Sequence, residues 1–237
     1  MRAFRMLAVV LTAYVVAFAS GYAVPDWDPQ NSSPVMSASA TVESGLAGNY
    51  PTPPAASYRL DASRSKFIAH ALAGGLLWFK GHDHLVAVRD FTGEARLDPE
   101  SLAGSSLEIV AKAASMEETS SVFTAPQKQI INKELREIVL LPDQFPDITF
   151  RSTDVTGKST STNQYDLKIT GNLTMLGITR PITIPTKVTV VGNEFRAQGE
   201  FSIDRSDYKV KATSAFHGMV RVRDKVKFEF DMVGQRR

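Results

Sequence analysis

The sequence predicts a mainly β protein, a single antiparallel β-barrel of about eight strands with one principal amphipathic helix over about residues 126–141. Three observations predict it. Apolar and polar residues alternate with period two along most of the chain beyond residue 58, which places them on opposite faces of half-buried strands. Turn signals built from Gly, Asn, Asp and Pro separate these runs at short intervals. Only one stretch shows helical spacing instead. Closing the sheet removes the exposed edges that so many strands would otherwise leave. A two-sheet sandwich is the alternative that alternation leaves open.

Composition narrows the class further. The 237 residues are 43% hydrophobic and 22% charged, a globular balance that excludes a chain disordered throughout and a polytopic membrane protein. Cysteine is absent, which removes disulfides, thiolate metal sites, cysteine nucleophiles and a lipidated N-terminal cysteine. Four histidines are the side chains that titrate near neutrality, and a net charge of +2 is too small for a nucleic-acid footprint.

Arg2 and Arg5 precede an uncharged apolar run from Met6 to Ala19, and Ala17-Phe18-Ala19 offers small residues where a signal peptidase reads. Residues 1–19 are therefore expected to be a signal peptide, or an uncleaved anchor if the run extends to Val24. Residues 20–57 hold six prolines, three acidic residues and no Lys or Arg, without apolar periodicity. Such a segment reads as a flexible spacer. The folded part is then 58–237, with 25 basic and 22 acidic residues.

Strands are expected at Ser65–Leu72, Leu76–Phe79, His84–Val88 and Phe91–Leu97, divided by Ala73-Gly74-Gly75 and closed by Asp98-Pro99. Leu107–Ala113 alternates nearly without error. Between Pro126 and Leu141, Ile131, Leu135, Ile138 and Val139 recur at helical spacing, with Pro126 in the first turn and Pro142 past the end. Strands resume at Ile148–Val155, Tyr165–Met175, Ile182–Val191, Phe195–Ile203 and Val226–Met232, with turns expected at Thr156-Gly157-Lys158 and Gly192-Asn193. Asp204–Lys209 reads as an ion-paired turn. The apolar faces of several strands alternate bulky with small residues, Phe195, Phe201 and Ile203 with Ala197 and Gly199, and they carry no charge. A barrel of this size either packs such residues against one another or holds one slender apolar ligand.

Arg89–Asp98, Ser105–Met116, Phe145–Ser152 and above all Gly171-Asn172-Leu173-Thr174-Met175-Leu176-Gly177-Ile178-Thr179-Arg180-Pro181-Ile182 resemble the YceI-like family, and the likeness runs from about Tyr58 to Val233. The resemblance implies a lipocalin-like antiparallel barrel in a periplasmic or secreted protein that holds a polyisoprenoid or similar amphiphile without changing it chemically. Three places depart from the family pattern: Thr124–Lys128 ahead of the helix, Leu176 where a histidine is common, and His82-Asp83-His84.

On this reading the barrel lining comes from Phe67, Ile109, Phe150, Leu167, Ile169, Phe201, Phe228 and Phe230, and the mouth or head-group contacts from His82 and His84. His82 and His84 also carry the alternative of a metal-dependent enzyme, since i and i+2 share a face of an extended strand and His70 or His217 would supply a third ligand. A filled barrel that presents its loops to an envelope partner is a further alternative. No Gly-x-Ser-x-Gly elbow and no phosphate-binding glycine loop occur, so no catalytic residue is assigned, and no cofactor or metal is implied. The expected function is extracytoplasmic carriage or sequestration of an isoprenoid or fatty-acyl amphiphile. The N-terminal segment is the possible membrane tether.

Overall fold

A strand with one apolar face is stable only when that face is covered, and here the sheet covers itself by curling shut. The structure is a computed structural model that describes residues 54–212, 214–215 and 219–237. The expected signal peptide and nearly all of the expected spacer lie outside the described residues. The strands are β1 (Ala56–Leu60), β2 (Lys66–Gly74), β3 (His84–Val88), β4 (Phe91–Leu97), β5 (Ser106–Lys112), β6 (Met116–Glu118), β7 (Asp147–Ser161), β8 (Gln164–Met175), β9 (Ile178–Val191), β10 (Glu194–Asp204), β11 (Ser214–Ala215) and β12 (Val220–Arg236). All their pairings are antiparallel.

Six of these strands are halves of three bent staves. β1 and β2 both run along β12, with Tyr58 opposite Arg236 and Phe67 opposite Phe230. β4 and β3 run along β1 and β2, and β5 and β6 run along β4 and β3. Each of the eight staves thus pairs with its neighbour in sequence, and β12 closes on the first: an up-and-down, eight-stranded barrel. Side chains replace the ladder bonds lost at the bends. Ser65 Oγ donates to the Asp61 carbonyl at 2.6 Å and accepts from the Val233 N–H at 2.9 Å, while Ser115 Oγ accepts from the Asp90 N–H at 3.0 Å.

Tight curvature places backbone where a Cβ would not fit, and glycine occupies those positions. Opposite Gly199 and Gly234 stand Phe230 and Phe195, each packed on the glycine of the next strand, and the Leu60 side chain packs on Gly93. A Cβ at Gly199 would lie 2.3 Å from the Pro185 carbonyl oxygen and 2.6 Å from the Phe230 ring. The bulky-small alternation therefore serves the wall first, because the rings lie flat over glycines instead of crossing the lumen.

The expected helix forms as α1 (Ala125–Glu134) followed by π-turns over Leu135–Leu140. Pro126 sits in its first turn, and the Gln127 side chain accepts from the Thr124 N–H at 2.8 Å. The wider π-turn, closed by Leu141 N–H to the Arg136 carbonyl, breaks the i, i+4, i+7 stripe. Val139 and Leu140 reach the core, whereas Ile138 is left exposed.

Two local expectations are corrected. Leu76–Phe79 is no strand: Gly75, at φ +89°, ends β2, and a 3-10 turn over Trp78–Lys80 turns the apolar run outward. Thr156-Gly157-Lys158 is no turn, since β7 runs through it to Ser161 with Gly157 opposite Leu167. There the glycine admits a close approach, a Cβ lying only 2.2 Å from the Asp166 carbonyl oxygen. At Asp204–Lys209 a 3-10 turn does form over Arg205–Tyr208, but Arg205 faces Asp224 of β12 rather than a partner within the segment.

The β9–β10 ladder covers only Thr186–Val191 against Glu194–Gly199. Below it the two strands part, and Pro181 and Pro185 lie on the stretch of β9 that has left β10, where no ladder donor is required. The Arg205–Tyr208 turn packs into this parting, with Tyr208 only 1% exposed.

Replacing Gly199 by Ala is expected to destabilise the fold by about 1–3 kcal/mol, since the Pro185 backbone or the Phe230 ring must shift. Urea unfolding followed by circular dichroism measures this, and an unchanged midpoint would contradict the packing described.

Candidate ligand-binding cavity

The inward rows of the staves enclose a cavity of about 150 Å³ that extends from Tyr58, Leu97 and Phe195 at one end to Met116, Ile148 and Met175 at the other. All eight residues singled out from alternation, Phe67, Ile109, Phe150, Leu167, Ile169, Phe201, Phe228 and Phe230, line it. They divide into two walls. On β2, β10 and β12 the Phe201 and Phe228 rings stack at 5.0 Å, Phe67 packs on Phe228 at 5.9 Å and Phe230 on Phe201 at 6.4 Å. The facing wall is mainly aliphatic, with Ile109, Leu167, Ile169, Leu173 and Ile184. Ala111 and Ala197 also reach the lumen, whereas Gly171 is overlain by the Phe150 ring, 2.6 Å from where a Cβ would stand.

Few polar groups meet this interior. Thr186 lies on it with its hydroxyl turned to the Ile184 carbonyl at 3.2 Å. At the end near Tyr58 the Tyr58 ring meets Phe195 edge-on at 4.9 Å. Burial pushes the phenols of Tyr58 and Tyr165 up, so both are neutral across the physiological range. An apolar cavity of this size excludes water in favour of an apolar guest. Its chemistry is that of binding by burial.

His82 and His84 are placed differently from each other. His84 begins β3 and is half-buried, whereas His82 is exposed in the preceding loop. Both pack on Phe123, His84 stacked at 5.1 Å and His82 edge-on at 5.7 Å. His84 Nδ1 lies 2.7 Å from Glu118 Oε2. Asp83 turns back, its carboxylate accepting from the Ala73 N–H at 2.8 Å. His70 lies elsewhere, 3.5 Å from Glu229, and His217 lies outside the described residues. Among the described residues no group of three or more His, Asp or Glu side chains is arranged to hold a metal ion.

Sequence reasoning missed Glu118 and Phe123. Glu118 lies on the same face of β6 as Met116 and is buried, a charge inside the fold on a strand that alternation had not singled out. Burial would raise its carboxyl, but the contact with His84 and the N–H groups of Ser120 at 2.7 Å and Leu85 at 3.2 Å hold it below the usual carboxylate range. The Glu118 N–H in turn donates to Asn132 of α1 at 2.7 Å. Glu118 thereby joins β3 and the loop after β6 through its carboxylate and the helix through its backbone N–H. The alternation of Met116, Glu117 and Glu118 was the available signal, a strand too short to stand out by period.

Comparison with known proteins places this architecture. The family model described as YceI-like domain matches residues 58–234. A UPF0312 protein of Yersinia enterocolitica, YE1254, is 28% identical over 142 residues, which cover 59% of this chain and 65% of the relative. A UPF0312 protein of Yersinia pestis is 30% identical over 143 residues with the same coverage, so the alignments span just under two thirds of these relatives' length. Among solved structures, Burkholderia cenocepacia BcnA aligns with a TM-score of 0.58 at 22% identity, covering 73% of this chain and 98% of that one. A polyisoprenoid binding domain from Saccharophagus degradans aligns with a TM-score of 0.52 at 12% identity, covering 76% and 98%. At these identities the two structures attest the shared fold.

Glu118→Gln is expected to destabilise the protein by about 1–3 kcal/mol at neutral pH, because buried donors lose a charged acceptor. Since the native carboxyl titrates below its unfolded value, its contribution is complete above the unfolded value and disappears as acid titration falls through the lowered native one. Stability against pH for the two proteins should therefore converge on the acid side. A constant offset down to pH 2 would contradict this.

Proposed function

The chain belongs to the YceI-like domain family, and on that premise we propose that it is an extracytoplasmic carrier or sequestering protein for an isoprenoid or fatty-acyl amphiphile, held with its tail along the barrel axis. The observation that carries this reading is the closed barrel with an almost wholly apolar interior cavity reaching from one end of the staves to the other. Affinity comes from burial, at roughly 25 cal/mol per Å² of apolar surface removed from water, and the polar members of the lining are few: Arg96, Ser105, Ser106, Thr149 and Thr186. The Saccharophagus degradans relative is described as a polyisoprenoid binding domain, which supports the choice of ligand class.

The cavity of about 150 Å³ matches the bulk of one small apolar molecule such as benzene. A long chain exceeds this volume, so its entry requires the lining side chains to move apart. The tail binds by burial and leaves chemically unchanged. Location outside the cytoplasm rests on Arg2, Arg5 and the apolar run Met6–Ala19.

Organic extraction of the purified full chain, followed by mass spectrometry, should recover a long-chain amphiphile near one per protein. Ala197→Phe, which fills the lumen from the wall, should lower that yield severalfold while the far-ultraviolet circular dichroism stays that of the parent. An empty extract, together with no uptake of added isoprenoid quinone, would overturn the reading.

A further inference from the structure

Large apolar side chains left in water gather at one end of this molecule. Among the described residues Leu72, Leu76, Trp78, Phe79 and Met219 are exposed where β2 ends and β12 begins. The loop after β2 holds three of them: Leu76 is 79% exposed, Trp78 56% and Phe79 63%.

This loop has a fixed backbone. Leu77 N–H donates to the Met219 carbonyl at 2.9 Å, and the 3-10 turn is closed by Lys80 N–H to the Leu77 carbonyl at 2.9 Å and Gly81 N–H to the Trp78 carbonyl at 3.0 Å. The Trp78 and Phe79 rings brace each other edge-on at 6.4 Å. Scattered exposed apolar residues need no explanation, whereas a held, contiguous cluster with aromatic rings marks a contact surface.

Its surroundings are cationic. Trp78 borders a surface cleft of about 460 Å³ together with Arg205, Arg221, Arg223, Ser206 and Asp224. Asp224 accepts from Ser206 N–H at 3.0 Å and Ser206 Oγ at 2.7 Å and lies 3.8 Å from Arg205 Nε; Arg205 also donates to the Val210 carbonyl at 2.8 Å and Arg223 Nε to the Ala73 carbonyl at 2.8 Å, so one acid faces three arginines. Residues 205–225 carry six Lys or Arg and only two acidic residues, and Lys80 extends the cationic rim. Asp83, the acid beside the loop, is occupied by the Ala73 N–H.

We propose that this end of the barrel docks on an anionic phospholipid bilayer, with Leu76, Trp78 and Phe79 entering the interfacial region and Lys80, Arg221 and Arg223 meeting the lipid phosphates. An exposed aromatic tip beside cationic side chains matches an interface whose outer layer is negatively charged and whose depth is apolar. The inference does not rest on the carrier reading, since it depends on the outer surface and not on the lumen.

The chain has two tryptophans, so in the full chain carrying Trp27→Phe the emission reports Trp78 alone. Phosphatidylglycerol vesicles should move that emission to shorter wavelength, brominated acyl chains should quench it, and phosphatidylcholine vesicles should leave it unchanged. Lys80→Glu with Arg221→Glu should weaken vesicle binding roughly tenfold or more, with the unfolding midpoint retained. Trp78 emission that does not respond, even when the chain sediments with vesicles through its N-terminal segment, would overturn the proposal. So would an equal response to both lipids, or a shift that follows protein concentration without vesicles, which would indicate self-association. Amphiphile extraction distinguishes failure of the carrier reading from failure of docking.

Discussion

β12 holds the barrel shut. It pairs with β10 along one side and with β1 and β2 along the other, so the last stave is hydrogen-bonded to the first. Without that seam β1, β2 and β12 would present unpaired edges, and the apolar rows would have no partner surface. Every other feature presupposes this closure. The bends at Asp61–Ser65 and Asp90 let three staves follow the curvature, and the glycines at 93, 199 and 234 let neighbouring backbones approach.

Closure and an open interior compete, because eight staves enclose little more than their own side chains. The competition is resolved at the wall. Phe150, Phe195 and Phe230 lie over Gly171, Gly234 and Gly199, which keeps their bulk beside the sheet and leaves an apolar cavity along the axis. The glycines of this barrel thus make room indirectly, by receiving rings, while Ala111 and Ala197 face the lumen themselves.

The two ends differ in chemistry. At one end Tyr58 and Phe195 pack edge to face. At the other, Glu118 ties β3, the loop after β6 and α1 together, while the Leu76–Lys80 loop stands out in water over an arginine-lined cleft. A buried carboxylate is stable there because its acceptor capacity is filled by His84, Ser120 and Leu85. The same end therefore combines a fixed backbone with exposed apolar tips.

Most of the framework was legible in the sequence. Period-two alternation is local, and it identified His84–Val88 and Phe91–Leu97 to the residue, with the eight side chains chosen from apolar faces all bordering the cavity, while helical spacing identified the helix. Alternation specifies which face a residue takes, but it does not specify what that face meets. Whether Gly157 turns or continues a strand depends on the Asp166 carbonyl beside it, and whether Leu76–Phe79 is buried depends on the positive φ of Gly75 before it. The i, i+4, i+7 spacing of Ile131, Leu135 and Ile138 announced a helix, and only the π-turn decided that Ile138 faces water. His82 and His84 looked equivalent along the chain. Tertiary structure separated them, because Glu118 comes from a strand 34 residues away from His84 and bonds only the histidine that lies within the sheet.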